Sequence, residues 1–167
     1  MNYTQKIFDE MISCANSNAP EYKKLLENLT KLKPKNLDNI VHELHYDEFE
    51  KIDCLECANC CKTLGPMIFE SDISRMASKL KMNVPDFKDR YIKVDDEGDY
   101  IFNESPCPFL SYDNYCMIYS ARPKACKEYP HTNRKRFYQV AIKTYHNLFT
   151  CPAVFSIVKR LKELKTV

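Results

Sequence analysis

The stretch Cys54–Lys62, CLECANCCK, places four cysteines within eight consecutive positions. A C-x2-C turn brings two sulfur atoms within ligating distance of one zinc ion. A [4Fe–4S] cluster often takes three thiolates from C-x2-C-x2-C, the spacing of Cys54, Cys57 and Cys60, and a fourth from a distant cysteine followed by proline. The stretch therefore indicates a metal site, with zinc and a [4Fe–4S] cluster both open. Disulfides, a thiol redox relay and simple packing are the alternatives.

More cysteines follow far along the chain, and two of them precede proline, in Cys107-Pro108 and Cys151-Pro152. Adjacent side chains such as Cys60 and Cys61 diverge, so the doublet indicates two sites on one loop, or one site and a spare thiol. We expect Cys54 and Cys57 to share a site with one of the doublet, and Cys126 to be its fourth ligand. The predicted metal ligands are Cys54, Cys57, Cys60, Cys61, Cys107, Cys116, Cys126 and Cys151.

The N-terminal sequence MNYTQKIFDE has no basic and apolar leader, and no apolar run approaches the length of a membrane span. We therefore expect a cytoplasmic protein with no membrane partner. In a reducing compartment, dense cysteines are more often metal ligands than disulfides. The formal net charge of +2 is too small to indicate a nucleic-acid partner.

The fold class predicted is mainly α, with an irregular cysteine-rich metal-binding centre packed by helices and a small β-hairpin. Only two glycines occur in 167 residues, which disfavours a fold built from many tight hairpins. We expect an N-terminal helical layer over residues 1–50 and a cysteine-cluster metal-binding domain over 51–167, together forming one compact unit. The turn sequence Asp-Glu-Gly-Asp at 96–99 predicts the hairpin.

Individual helices are predicted from apolar residues at helical spacing. Ser71 is expected to cap a helix, another turn is expected to start near Pro85, and Pro123 is expected to open a short helix that carries Cys126. The segments 136–149 and 151–164 are also predicted to be helical.

Other residues that could bind a metal receive weaker predictions. Cys14 precedes the cluster by 40 positions and is expected to be a core residue. His42 and His45 are expected to make surface or interhelical hydrogen bonds, and His131 is a weaker candidate for a metal or its surroundings. With two glycines in the chain, phosphate-binding and dinucleotide-binding loops are excluded.

The cysteine-bearing pieces CLECANCCK, PCPFL, CMIYSARPKACKEYP and CPAV occur in this order. In this the chain resembles the CxxCxxCC, or YkgJ-type, cysteine-cluster family of candidate zinc- or iron-chelating domains, over about residues 50–155. The resemblance implies a metal-binding or iron–sulfur protein whose ligands are the eight cysteines named above. More distantly, the chain resembles the cysteine-rich part of flagellin lysine methylases.

Three functional hypotheses follow. The first is a metal-binding protein that holds zinc or an iron–sulfur cluster. The alternative is an iron–sulfur-dependent enzyme, such as a protein similar to a lysine methyltransferase or a redox protein, although no methyl-donor motif and no catalytic acid, base or nucleophile is identified. The third is a module that binds a protein partner through its N-terminal helices.

Overall fold

The computed structural model describes residues 5–164, and over this range the protein is mainly α-helical with one two-stranded antiparallel sheet. The predicted fold class is confirmed in these respects. The chain forms two compact units: unit 1 comprises the residues up to Cys57 together with those from Pro130 onward, and unit 2 comprises Ala58–Tyr129. The boundary at residue 50 that the sequence predicts stays a prediction. The first four residues of the predicted N-terminal helical layer lie outside the described range.

Unit 1 is built from helices whose apolar faces meet in one core. The helices are α1 (Gln5–Ser17), α2 (Ala19–Leu32), α3 (Leu37–Phe49), α4 (Cys54–Cys57), α9 (Ala141–Asn147) and α10 (Pro152–Glu163). Helix α2 packs against α9, and α3 packs against α10. Tyr22, Leu26, Val41 and Val158 are buried in this core, as the helical spacing of apolar residues predicts. In the described part of the chain, no helix has the length and apolar character needed to cross a membrane.

The predicted helix over 136–149 is divided in the structure. Phe137–Gln139 form a 3-10 turn, and the α-helix begins only at Ala141. Arg136 adopts a left-handed conformation (φ 58°), and the Asp38 carboxylate accepts the main-chain N–H groups of Arg136 (2.6 Å) and Phe137 (2.8 Å). Arg136 therefore lies outside any helix, and Val140 (φ −113°, ψ 4°) separates the 3-10 turn from the α-helix, so the prediction of one uninterrupted helix is wrong.

Unit 2 contains short helices around a small sheet. Its elements are α5 (Asn59–Thr63), α6 (Glu70–Lys79), α7 (Val84–Tyr91), β1 (Ile92–Val94), β2 (Tyr100–Phe102), a 3-10 turn (Tyr119–Ala121) and α8 (Lys124–Glu128). Ile92 pairs with Phe102 and Val94 with Tyr100, which confirms the hairpin. Gly98 supplies the φ of +88° that its turn requires. The core of unit 2 contains Ile73, Met76, Phe87, Phe109 and Ile118.

The starts of three unit 2 helices test the predicted capping residues. Helix α7 begins beside Pro85, with the Asn83 side chain accepting the Asp86 N–H, and α8 follows Pro123. Both predictions are confirmed. The prediction that Ser71 caps α6 is wrong, because the helix begins at Glu70 and the Asp72 carboxylate accepts the Phe69 N–H at 3.1 Å.

Helices α3 and α10 are joined by a charged group within unit 1. Arg160 donates to Glu48 Oε1 and to Asp47 Oδ2, each at 2.8 Å. Only 6% of the surface of Glu48 is exposed. Burial alone would raise the pKa of Glu48, but hydrogen bonds from Ser156 and Arg160 outweigh it and lower this pKa.

We predict that Arg160→Met lowers the free energy of unfolding by about 2 kcal/mol. Removing Arg160 leaves the buried Glu48 carboxylate with only Ser156 and the exposed Lys51 as partners. The estimate is below the range for fully buried pairs because Arg160 is itself partly exposed. Urea unfolding of Arg160→Met, Glu48→Leu and the double variant measures the effect. The double variant should recover much of the lost stability, and strictly additive losses would contradict a coupled pair.

His45 is predicted to make unit 1 sensitive to acid. Its Nδ1 lies 2.7 Å from Thr132 Oγ1, and burial, followed by the charge of His42, lowers the pKa of His45 below its ordinary value. The folded state therefore binds this proton less readily than the unfolded chain does. The neutral form of His45 therefore favours the folded state. This contribution to stability is complete above the unfolded pKa of about 6.5, and it is lost as the pH falls through the lower pKa of the folded state. Unfolding at several pH values should show a smaller acid loss in His45→Gln than in the parent, and parallel curves would contradict this.

Candidate metal centre

Four cysteines of unit 2 form one group, named here the unit 2 thiol group: Cys61, Cys107, Cys116 and Cys126. Main-chain contacts connect the first three. The N–H of Cys107 donates to the carbonyl of Cys61 at 2.9 Å, and Leu110, whose N–H donates to the Cys107 carbonyl at 3.0 Å, forms an antiparallel bridge with Cys116. Cys126 is carried by α8. Residues separated by up to 65 positions in the sequence are thus brought together.

The thiols of this group influence one another electrostatically. Burial first, and then the charges of the three other thiols, raise the pKa of Cys126 to about 12. Burial also raises the pKa of Cys107 to about 11, with contributions from Cys61 and Cys116, and it raises the pKa of Cys116, with a contribution from Cys61. Every pair among the four is therefore within electrostatic reach.

Cys61 differs from the other members of the group. A hydrogen bond from the Cys60 side chain, aided by the charge of Lys62 and opposed by burial, lowers the pKa of Cys61 to about 7. A thiolate is the form that binds metal. Cys61 is consequently the member best prepared to bind a cation at neutral pH.

Main-chain amides are directed at several sulfur atoms. The N–H groups of Phe109 and Leu110 favour the thiolate of Cys107, and that of Ile118 favours the thiolate of Cys116. Hydrogen bonds to sulfur stabilise the charged ligand and tune metal and iron–sulfur sites. These donors offset part of the cost that burial imposes on each thiolate.

Unit 1 holds a second and smaller group, the unit 1 thiol group, made of Cys54, Cys57 and Cys151. Cys54 and Cys57 lie at the two ends of α4, and Cys151 directly precedes α10. Burial raises the pKa of Cys151 to about 12, opposed by the N–H groups of Val154 and Ala153, while the charges of Cys54 and Cys57 add to the increase. The sulfur of Cys151 thus accepts from the first turn of α10 and lies near the other two thiols.

The donor chemistry of both groups suits zinc or an iron–sulfur cluster, because the members are soft sulfur ligands. The nine cysteines are free thiols. Among the described side chains, no three histidine, cysteine, aspartate or glutamate residues are placed so that they could hold a metal ion as they stand.

The remaining candidate residues have other surroundings. Cys14 lies on α1 and was expected to be a core residue, but it is only half-buried. Its sulfur accepts a hydrogen bond from Asn18 Nδ2 at 3.8 Å. His42 Nε2 lies 3.2 Å from the carbonyl oxygen of Arg134, and His45 contacts Thr132. The hydrogen-bonding roles expected of these two histidines are confirmed. The weaker suggestion that His131 lies near a metal stays a prediction.

Sequence reasoning missed the amide donors, since every residue other than proline carries an N–H group. A partial signal exists in Cys107-Pro108 and Cys151-Pro152. In both, the two residues after the proline supply the N–H groups that face the sulfur. The sequence-based grouping of Cys126 with Cys54 and Cys57 stays a prediction; the thiols whose charges act on Cys126 are the other members of the unit 2 thiol group.

Comparison with known proteins gives one match. Residues 53–145, more than half of the chain, match the model of a family named CxxCxxCC and described as "Putative zinc- or iron-chelating domain". No curated protein and no solved structure matches the chain significantly. The matched segment contains every member of the unit 2 thiol group.

Proposed function

The chain belongs to the CxxCxxCC family, and on that premise we propose that it is a cytoplasmic metal-binding protein whose principal centre is the unit 2 thiol group. Cys61, Cys107, Cys116 and Cys126 would hold one zinc ion or one [4Fe–4S] cluster. Either centre takes four thiolates, and four protein ligands close a structural site. The single observation that carries the proposal is that main-chain contacts bring the segments of Cys61, Cys107 and Cys116 together, in the same compact unit that contains Cys126.

The unit 1 thiol group is proposed as a second metal-binding position. Cysteine spacing in the sequence also predicts its three thiols to be ligands. Cys60 is likewise proposed as a ligand, from its spacing in the sequence alone. A centre of three thiolates requires one more ligand, so we expect tighter binding at the unit 2 thiol group.

The bound metal would supply charge and cross-linking to a unit of short helices. Helices α5 and α8 have five residues each, far below the length at which a helix is stable by itself. A metal ion that holds one residue from each would join them to the loop that carries Cys107 and Cys116. Metal binding should therefore contribute directly to the free energy of folding.

Thiol modification tests this proposal on the full chain. Protein purified without oxygen is treated with iodoacetamide before and after metal removal by a chelator, and the labelled cysteines are identified by mass spectrometry. We expect the unit 2 thiol group to resist labelling until the metal is removed, while Cys14 is labelled equally in both states. Equal labelling of all four before and after chelation would contradict the proposal.

A further inference from the structure

Asp72 is a buried carboxylate at the start of α6, with 1% of its surface exposed. Its Oδ2 accepts the Phe69 N–H at 3.1 Å, and its Oδ1 accepts the Lys124 N–H at 3.1 Å and Arg75 Nη2 at 2.5 Å. A buried charge is costly unless it is paired and hydrogen-bonded, and here three donors satisfy it. One of these contacts reaches 52 positions along the chain to the first residue of α8.

Arg75 extends the same connection to the segment before α8. Its Nη2 donates to the carbonyl of Arg122 at 2.9 Å, and its Nε donates to that of Ala121 at 3.3 Å. A guanidinium presents several donors in a rigid plane, so it can fix two carbonyls and a carboxylate together. A lysine in its place would keep the charge and lose this geometry.

These contacts determine where Cys126 lies. Cys126 follows Lys124 by two positions on a helix of five residues that cannot form without tertiary support. The Asp72–Arg75 pair holds the main chain of Ala121, Arg122 and Lys124, immediately before that cysteine. The 3-10 turn Tyr119–Ala121, which precedes this segment, begins three residues after Cys116.

We infer that Asp72 and Arg75 are positioning residues of the metal centre, which hold α8 so that the Cys126 sulfur is presented to the other three thiols. This inference rests on the proposed function of the unit 2 thiol group. Neither residue is a ligand. Outer-shell partners of this kind orient the ligating side chains, and their loss typically weakens metal binding by roughly 10- to 100-fold.

The test uses Co²⁺ as the probe, added without oxygen to the metal-free full chain, since thiolate–Co²⁺ complexes absorb in the near ultraviolet and visible ranges. The variants are Arg75→Lys, which keeps the charge, and Asp72→Asn, which keeps the shape. The matched control is Arg160→Lys, which alters a carboxylate–guanidinium group of unit 1. Chelator competition gives the dissociation constants, and urea unfolding gives the stability of each metal-free variant.

We expect both unit 2 variants to raise the dissociation constant of the tighter Co²⁺ site about 10- to 100-fold and to change its absorption spectrum. Arg160→Lys should lower the stability of the protein without changing the Co²⁺ dissociation constant or the absorption spectrum. Unchanged Co²⁺ affinity and spectrum in a folded Arg75→Lys protein would overturn the positioning role and leave the proposed function intact. Absence of thiolate–Co²⁺ absorption in the parent protein would overturn both. If the Asp72→Asn protein does not fold, the Co²⁺ affinity and spectrum of Arg75→Lys alone test the positioning role.

Discussion

Replacing Cys126 with serine is expected to weaken metal binding at the unit 2 thiol group by more than about 100-fold, because loss of a ligand should exceed the roughly 10- to 100-fold effect of losing an outer-shell partner. Cys126 is the member whose pKa is raised by all three others. Serine keeps the size of the side chain but removes the soft thiolate that zinc and iron prefer.

Metal analysis and unfolding of the Cys126→Ser protein measure this effect. The matched control is Cys14→Ser, since Cys14 lies on α1 and its hydrogen bond from Asn18 can be accepted by a hydroxyl. We expect the control to keep its metal and its stability, while Cys126→Ser loses both together. If the two variants retained equal amounts of metal, Cys126 would not be a ligand.

Removal of the metal by a chelator is expected to lower the free energy of unfolding of the parent protein by about 4 kcal/mol, the value for a ligand present at 1,000 times its dissociation constant. The physical reason is that the unfolded chain offers no preformed site, so binding energy becomes folding energy. Restoring zinc or iron should restore the stability.

Urea unfolding with and without chelator, followed by amide hydrogen exchange, locates this effect. Amides of unit 2, especially those of α5 and α8, should lose more protection than the amides of α2 and α3 in unit 1. Equal stability of the metal-free and metal-loaded protein would contradict a structural role for the metal.

Local features of the fold were largely predictable from sequence. Apolar spacing predicted α2, α3 and α10, and the turn around Gly98 predicted the hairpin. The errors occurred where a distant contact overrides a local preference. Asp38 holds the start of the 3-10 turn that replaces the first part of the helix predicted over 136–149.

The sequence predicts a set of candidate metal ligands, which stays a prediction, but it does not predict how they are grouped. Cysteine spacing identifies residues that suit a metal, yet it does not indicate which distant cysteines become neighbours. The antiparallel bridge between Leu110 and Cys116 and the bond between Cys107 and Cys61 are products of the tertiary fold. The electrostatic influence of Cys54 and Cys57 on Cys151, and of Cys61 on Cys126, follows from packing that no local pattern encodes.

Metal binding by this chain can be measured directly. The most direct test is the analysis of zinc, iron and acid-labile sulfide, together with a visible absorption spectrum, on the full chain purified without oxygen. We predict at least one zinc ion, or one iron–sulfur cluster with broad visible absorption, for each chain. A protein with no stoichiometric metal, in which all nine cysteines react freely with a thiol reagent, would contradict the account.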